Sequence, residues 1–142
     1  MAEPRPSPGV CELIRAIFAT ADAQDGQAMF RLHAAESTVT FVGVGPGELW
    51  QGPDELAAAL RVAHDGQADV RFRLDHCIGY EDGDVGWGVG EGLLIADENM
   101  RFPFRLIVVA RYADGCWTSR FSQTAIAVND AAFGPDSPLI AP

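Results

Sequence analysis

The chain has 142 residues, 48% of them hydrophobic, which is enough for one domain that buries roughly 70% of its unfolded surface. Its 20 acidic and 10 basic residues give a formal net charge of −10, which repels phosphate backbones and anionic lipid, so neither nucleic acid nor a membrane surface is expected as a partner. The opening residues are polar and proline-rich, and no apolar run approaches the ~20 residues of a membrane span, so we expect neither a signal peptide nor a membrane segment.

Three cysteines, Cys11, Cys77 and Cys116, lack the close spacing of metal ligands. Their odd number also argues against a disulfide framework and favours a reducing compartment. We therefore expect a cytoplasmic protein, with no metal and no other cofactor.

Three helices are predicted in the first half of the chain. Ser7 caps the first, with Pro8 at its first position and apolar residues following at helical spacing. A short second helix is marked by residues 29–33, a strand by 37–44, and a third helix begins at Gly52-Pro53. Residues 1–7 and 129–142 are predicted to be flexible ends of a single domain that spans 1–142.

A four-strand antiparallel meander follows, built from two predicted hairpins. Asp114-Gly115 predicts a two-residue turn, because the favoured hairpin turn needs positive φ at both central positions. This register places Tyr112 opposite Trp117 and Val108 opposite Phe121. It also places Phe104 and Gln123 on the same face, which is mostly apolar and is therefore predicted to be the core face.

The preceding hairpin is predicted to turn at Asp82-Gly83 in the same way. Its predicted core face pairs Ile78 with Trp87 and Leu74 with Glu91. The opposite face carries glycines at every second position from 86 to 92. Glycine costs entropy in a strand, so this run predicts strong curvature or the close approach of another backbone.

Several short motifs resemble one family. The segments 41–43 and 46–52 (FVG and PGELWQG), followed by a helix, and the segments 83–87 and 111–117 resemble the SnoaL-like branch of the nuclear transport factor 2-like superfamily. The resemblance covers roughly residues 10–128. It implies an α+β fold: a cone-shaped barrel of a strongly curved, mostly antiparallel sheet packed on an N-terminal helical layer.

The resembled family contains ketosteroid isomerases, polyketide cyclases and small dehydratases beside binding modules and dimerisation domains. The fold therefore does not name the chemistry. The family often carries a histidine late in the last strand, and the resemblance places Gln123 there, which cannot act as a general base.

The polar residues on the predicted core face form a candidate catalytic cluster. Glu91 lies diagonal to His76 and shares a row with Gln123 two strands away. A carboxylate among leucines is poised for proton transfer near neutral pH, so Glu91 is the candidate general acid or base and His76 its partner. Alternatively, Glu91 marks the wet end of the sheet or pairs with an arginine, and His76 is a structural histidine.

Two hypotheses for function follow from this face. In the first, the cone binds a small apolar or polycyclic molecule, and an internal carboxylate could serve it as a cofactor-free isomerase, cyclase or dehydratase. The expected ligand-binding residues are Trp50, Trp87, Phe104, Phe121 and Gln123. In the second, the interior is filled by these aromatic residues, and the protein is a non-catalytic dimerisation or ligand-sensing module. Whether the protein is an enzyme is left open by the sequence.

The opposite face of the last hairpin predicts an assembly surface. Ile107 and Val109 alternate there with Arg105 and Arg111, and residues 118–124 supply polar neighbours of an interface rim. We expect a two-fold homodimer through this convex face of the sheet.

Overall fold

The computed structural model describes residues 3–65, 70–97 and 99–127. Its helices are α1 (Pro8–Asp22), α2 (Gly26–Arg31) and α3 (Pro53–Asp65). Its strands are β1 (Arg5–Pro6), β2 (Thr40–Val42), β3 (Leu49–Gln51), β4 (Arg71–Asp82), β5 (Val85–Asp97), β6 (Met100–Ala113) and β7 (Cys116–Ile126). Among the described helices, none is long and apolar enough to cross a membrane.

Within the described residues the strands form one sheet in the order β1-β4-β5-β6-β7-β2-β3. Every pairing is antiparallel except that of β2 with β7, which is parallel. The helices cover one face of this sheet, and the core lies between the two layers. The predicted α+β class is confirmed. The predicted tail at 129–142 lies outside the described residues.

The first helix begins as the sequence predicts. The Ser7 hydroxyl accepts a hydrogen bond from the Val10 amide at 3.1 Å, and Pro8 occupies a position where no intrahelical donor is lost. The buried stripe of α1 consists of Val10, Leu13, Ile14, Ile17 and Phe18. This stripe faces the sheet.

The segment before α1 differs from the predicted flexible lead. Arg5 and Pro6 pair with Glu81 and Tyr80 at the edge of the sheet, and Arg5 Nε lies 2.7 Å from Glu81 Oε1. Proline is tolerated here because an edge strand need not donate from every residue.

The last hairpin confirms the predicted turn. Asp114 and Gly115 have φ of 53° and 83°, and Tyr112 pairs with Trp117 across them. The register then shifts at Arg120, where a β-bulge inserts one residue into β7. Beyond this bulge the predicted pairing of Val108 with Phe121 is wrong.

The shift of one residue turns the rest of β7 over. Val108 pairs with Ser122 and Leu106 with Thr124, so Ser122 and Thr124 face the core although the sequence predicts them outside. Phe121 and Gln123 accordingly face outward, not into the core. No local sequence signal marks the bulge.

The β4–β5 hairpin turns one residue later than predicted. Asp82 pairs with Val85 across Gly83 and Asp84, and Gly83 has φ of 63°, as expected of glycine at the first position of a two-residue turn. Trp87 therefore lies opposite Tyr80, two residues from its predicted partner. A further irregularity at Asp75 separates the pairings of Leu74 and His76.

The glycine face of β5 is the buried face, which reverses the predicted orientation of this strand. An ideal Cβ on Gly88 would lie 2.8 Å from Ile14 Cδ1, and one on Gly90 would lie 2.6 Å from Ile14 Cγ2. Helix α1 thus occupies the space that side chains on β5 would fill. Trp87 and Glu91, which alternate with these glycines, point away from the core.

Candidate functional site

A cavity of about 240 Å³ lies between the helices and the inner face of the sheet. Almost all the described residues that line it are apolar, and the polar side chains among them are Gln24, Glu48 and Thr124. The apolar lining residues are Ile17, Phe18, Ala21, Met29, Phe41, Val44, Trp50, Ala59, Leu60, Val70, Phe72, Leu94, Phe104 and Leu106. Concave, mostly apolar sites with a few polar groups are typical of small-molecule binding.

The helical wall comes from amphipathic helices. The last turns of α1 present Ile17, Phe18 and Ala21 to the cavity, and α3 presents Ala59 and Leu60. Two alanines in this wall leave room that larger side chains would occupy. The same helix–sheet packing that closes the core elsewhere therefore leaves a space at this end.

Aromatic rings form much of the rest of the wall. The Phe41 and Trp50 rings lie with centroids 5.7 Å apart, and the Phe104 ring packs edge-on against Phe18 at 5.8 Å and Phe72 at 5.2 Å. Such edge-on pairs stabilise each other by about 0.5 to 1.5 kcal/mol beyond the area they bury. Of the predicted ligand-binding residues, Trp50 and Phe104 line this cavity.

Glu48 is the one ionisable side chain among the described residues that line the cavity. It belongs to the turn between β2 and β3, where Gly43 N donates to its backbone carbonyl at 2.7 Å and Gly45 N donates to its Oε2 at 2.7 Å. The carboxylate of Glu48 folds back over Gly43. A Cβ added at position 43 would lie only 2.3 Å from Glu48 Oε2. Glycine at position 43 is thus required for this placement.

The predicted interior cluster of Glu91, His76 and Gln123 is not formed. All three residues are exposed on the outer face of the sheet. Glu91 forms an ion pair with Arg105, with 3.1 Å between Oε1 and Nε, and lies opposite His76 in the register. The arginine pairing that the sequence left open as an alternative is therefore the one observed.

The other predicted ligand-binding residues also lie outside. Trp87 is 38% exposed and Phe121 is 36% exposed, and both face away from the cavity. Their positions follow from the bulge in β7 and the glycine-lined inner face of β5. The cavity is therefore built without them.

Sequence reasoning missed Glu48, Gln24 and Thr124 as lining residues. Thr124 reaches the cavity only because of the bulge, and its hydroxyl donates to Val42 O at 3.2 Å. Glu48 ends the glycine-rich motif Gly45-Pro46-Gly47-Glu48. An acidic residue in such a turn is not accounted for by the exposed face of a helix or a strand. That turn was the available signal.

A second polar group lies next to the cavity, between α2 and β7. The Nδ1–H group of the buried His33 ring donates a hydrogen bond to the Met29 carbonyl oxygen at 2.8 Å. The Nε2 atom of the same ring has no partner among the described residues. Burial lowers the pKa of His33 below its ordinary value, against the raising effect of the Met29 carbonyl. The hydroxyls of Ser119 and Ser122 on β7 are also buried without a partner in the described part of the chain.

The curved sheet wrapped around a helical layer, with a cavity between them, defines a nuclear transport factor 2-like protein. A family model described as the SnoaL-like domain matches residues 10–128, and the chain belongs to this family. The resemblance drawn from the sequence is thereby confirmed. Among curated proteins the chain has no match.

Solved structures share this fold at low sequence identity. A nuclear transport factor 2-like protein of unknown function from Pseudomonas putida is 14% identical with a TM-score of 0.74, over 84% of this chain and 85% of that one. A protein with a cystatin-like fold from Caulobacter vibrioides is 18% identical with a TM-score of 0.73, over 89% and 93%. A candidate dehydratase from Streptomyces avermitilis is 13% identical with a TM-score of 0.73, over 85% and 95%. These likenesses show the fold alone.

Proposed function

We propose that the chain binds a small, largely apolar molecule in the cavity beneath α1 and α3. The observation that carries this proposal is an apolar cavity of about 240 Å³ with the Glu48 carboxylate in its wall. A filled interior, the alternative raised by the sequence, predicts a cavity well below this volume. The space is close to the lower end of ligand pockets, which run from ~300 to 1,000 Å³.

The volume limits the size of the ligand. An apolar cavity of about 150 Å³ in another protein is large enough to bind benzene. A cavity of about 240 Å³ therefore suits a molecule of one or two rings. A four-ring molecule would require α1 or α3 to move. Of the polycyclic ligands expected from the sequence, only those with two rings therefore fit the cavity.

Glu48 sets the polarity of that ligand. A carboxylate accepts hydrogen bonds, so the favoured ligand carries one hydroxyl or other donor directed at the β2–β3 turn. The same carboxylate could take up a proton from a bound carbonyl compound, which is the chemistry of a cofactor-free isomerase or dehydratase. The SnoaL-like fold and the likeness to a candidate dehydratase are compatible with this second function.

The proposal is tested by calorimetric titration with 2-naphthol and naphthalene. Substituting Ala59→Leu fills the cavity from α3 and is expected to weaken binding of both compounds by at least about tenfold, equivalent to 1.4 kcal/mol. Ala58→Leu is the matched control, because the neighbouring Ala58 is exposed on the same helix. Equal affinities for the two leucine variants would contradict binding in this cavity.

The role of Glu48 has its own comparison. Glu48→Gln is expected to reduce the preference for 2-naphthol over naphthalene by roughly tenfold, since a hydrogen bond to a charged acceptor contributes about 1.5 to 3 kcal/mol. Glu91→Gln, a change of the same kind on the outer face, is expected to leave this preference intact. A preference that survives Glu48→Gln would remove Glu48 from the site while leaving the cavity proposal in place.

We also propose that the outer face of the sheet forms a two-fold homodimer. Its support is a group of large apolar side chains that remain exposed on that face: Ile78, Tyr80, Val85, Trp87, Ile107, Val109 and Phe121. Ion pairs of Arg105 with Glu91 and of Arg111 with Asp84 lie among them. Exposed apolar patches rimmed by polar groups are typical of protein interfaces.

A further inference from the structure

Two cysteines meet across the interface of α1 and β4. Cys11 lies on the second turn of α1, Cys77 lies in the middle of β4, and their sulfur atoms are 2.7 Å apart. Both residues are thiols and both are partly buried. A disulfide bond is ~2.05 Å long, so the two sulfurs need to approach by only about 0.65 Å to be joined.

The packing of α1 holds this pair together. Gly79 follows Cys77 on the same face of β4, and a Cβ on Gly79 would lie 3.2 Å from Cys11 Sγ and 3.0 Å from Ser7 O. The absence of a side chain at position 79 therefore lets the first turns of α1 lie directly on β4. Ser7 N also donates to Gly79 O at 2.8 Å, which fixes the start of the helix on the same strand.

We propose that Cys11 and Cys77 form an oxidation site, which a hydroperoxide converts into an intramolecular disulfide between α1 and β4. The Cys11 sulfur attacks one peroxide oxygen, so that an S–O bond forms and the O–O bond breaks, and the leaving oxygen takes up the Cys11 proton and departs as water or alcohol. The Cys77 sulfur then attacks the Cys11 sulfur, the S–S bond forms, and the hydroxyl group leaves with the Cys77 proton as water. Two thiols lose two electrons and one peroxide gains them.

The order of the two steps follows from the environment of Cys77. Burial raises the pKa of the Cys77 thiol to about 12, and the neighbouring Cys11 adds to this effect. Cys77 thus keeps its proton and donates it toward Cys11 Sγ. Because the thiolate is the reactive form of cysteine, the raised pKa disfavours Cys77 as the first sulfur to be oxidised, and we assign the first step to Cys11 and the second to Cys77.

The disulfide would act on a helix that borders the proposed ligand cavity. Helix α1 supplies Ile17, Phe18 and Ala21 to the cavity wall, about two to three turns beyond Cys11. The bond would also link residues that are 66 positions apart in sequence. A covalent link over such a loop restricts the unfolded chain, so oxidation is expected to raise the Tm by roughly 10 °C.

The test uses the full chain with Cys116→Ser, because Cys116 is exposed and could otherwise form disulfides between molecules. The protein is treated with hydrogen peroxide, the remaining thiols are alkylated, and a proteolytic digest is examined by mass spectrometry. We expect a cross-linked pair of peptides containing Cys11 and Cys77, two fewer alkylated thiols, and the rise in Tm. All three changes are expected to be reversed by a thiol reductant.

A second variant separates the pair from general oxidation. Cys77→Ser removes the resolving sulfur, so oxidation is expected to stop at sulfenic acid on Cys11, detected by a dimedone adduct, with no rise in Tm. If both cysteines of the Cys116→Ser protein stay alkylatable after peroxide treatment, the proposal is overturned. It is equally overturned if they oxidise only to sulfinic or sulfonic acid without a cross-link. Neither result depends on whether the cavity binds a ligand.

Discussion

Single glycines decide how closely the helical layer approaches the sheet. An added Cβ at Gly90 would meet the ends of side chains, namely Ile14 Cγ2 at 2.6 Å, Leu74 Cδ1 at 3.1 Å and Phe18 Cε2 at 3.1 Å. At Gly92 it would meet the backbone oxygen of Arg73 at 1.7 Å. Side chains can shift by a few tenths of an ångström, whereas a paired strand cannot do so without breaking its register.

We therefore predict that Gly92→Ala destabilises the fold more than Gly90→Ala. For Gly90→Ala the cost is about 1 to 3 kcal/mol, the usual range for overpacking a core, and Gly92→Ala exceeds it because the strands must separate. Urea denaturation of the two variants measures the difference. Equal midpoints would contradict the close approach of β4 at Gly92.

His33 makes stability depend on pH near neutrality. Burial lowers its pKa in the folded protein, whereas in the unfolded chain it titrates near the ordinary value of 6.5. As pH falls below 6.5 the unfolded chain takes up the proton first, so the stability present at higher pH is lost until the folded pKa is passed. The neutral ring is thus the form that the folded protein favours.

The corresponding variant is His33→Asn, which can still donate to the Met29 carbonyl. Wild type is expected to lose stability between pH 7.5 and 5.5, and His33→Asn is expected to lose less, as measured by urea midpoints at both pH values. His76→Asn is the control, because His76 is exposed on the outer face. An unchanged pH dependence in His33→Asn would show that another group is responsible.

At the scale of elements, the end of α1 is fastened to the start of β4 by one carboxylate. Asp22 accepts from Arg71 Nε at 2.7 Å, from Arg71 Nη2 at 3.0 Å and from the Phe72 amide at 2.9 Å. The Arg71 side chain, foremost among several causes, holds the pKa of Asp22 below its usual value. Stability from this group is therefore present above the unfolded pKa of 3.8 and is lost as pH falls through the folded pKa.

Asp22→Asn is predicted to lower stability at pH 7 by about 1 kcal/mol, a value reduced for the partial exposure of the pair. The difference from wild type should shrink as pH falls through the folded pKa of Asp22, because the carboxylate then loses the charge that Arg71 stabilises. Asp75→Asn, which breaks the exposed pair with Arg73, is expected to have a smaller effect. A larger effect at Asp75 would mean that the contact between α1 and β4 does not depend on Asp22.

The proposed homodimer depends on the outer face of the sheet. Val109→Glu would place a negative charge on this apolar face in a chain that already carries −10. We predict that this variant sediments as a monomer at micromolar concentration while wild type sediments as a dimer. Leu49→Glu, at an exposed position of β3, is the control and should remain dimeric. A wild type that is monomeric under these conditions would contradict the proposal.

At the scale of the whole molecule, the sequence predicted the architecture better than the site. The cap at Ser7, the helix beginning at Pro53 and the Asp114-Gly115 turn were all read correctly, because each depends on local chemistry. The prediction of which side chains face the core was wrong for β5 and for part of β7, because this orientation depends on two features that local sequence does not determine. One is the bulge at Arg120, and the other is the approach of α1 to the glycines of β5.

The resulting error was large because side chains alternate in a strand. A shift of one residue moved Gln123 from the predicted cavity to the outer face and brought Thr124 in. The four alternating glycines of β5 suggested a face without packing partners. In the structure this face is buried, and α1 packs against it. An apolar alternation such as Trp87, Val89 and Leu93 is therefore compatible with an outer face when the other face is reserved for a helix.

The central claim is that small molecules bind on the inner, helix-covered side of the sheet and not at the Glu91 cluster outside. Isoleucine methyl groups report on both sides, since Ile17 lines the cavity while Ile78 and Ile107 are exposed on the outer face. In isotopically labelled protein with 2-naphthol, we predict nuclear Overhauser contacts from ligand protons to the Ile17 methyl group and none to Ile78 or Ile107. Contacts to the outer isoleucines without contacts to Ile17 would contradict the account.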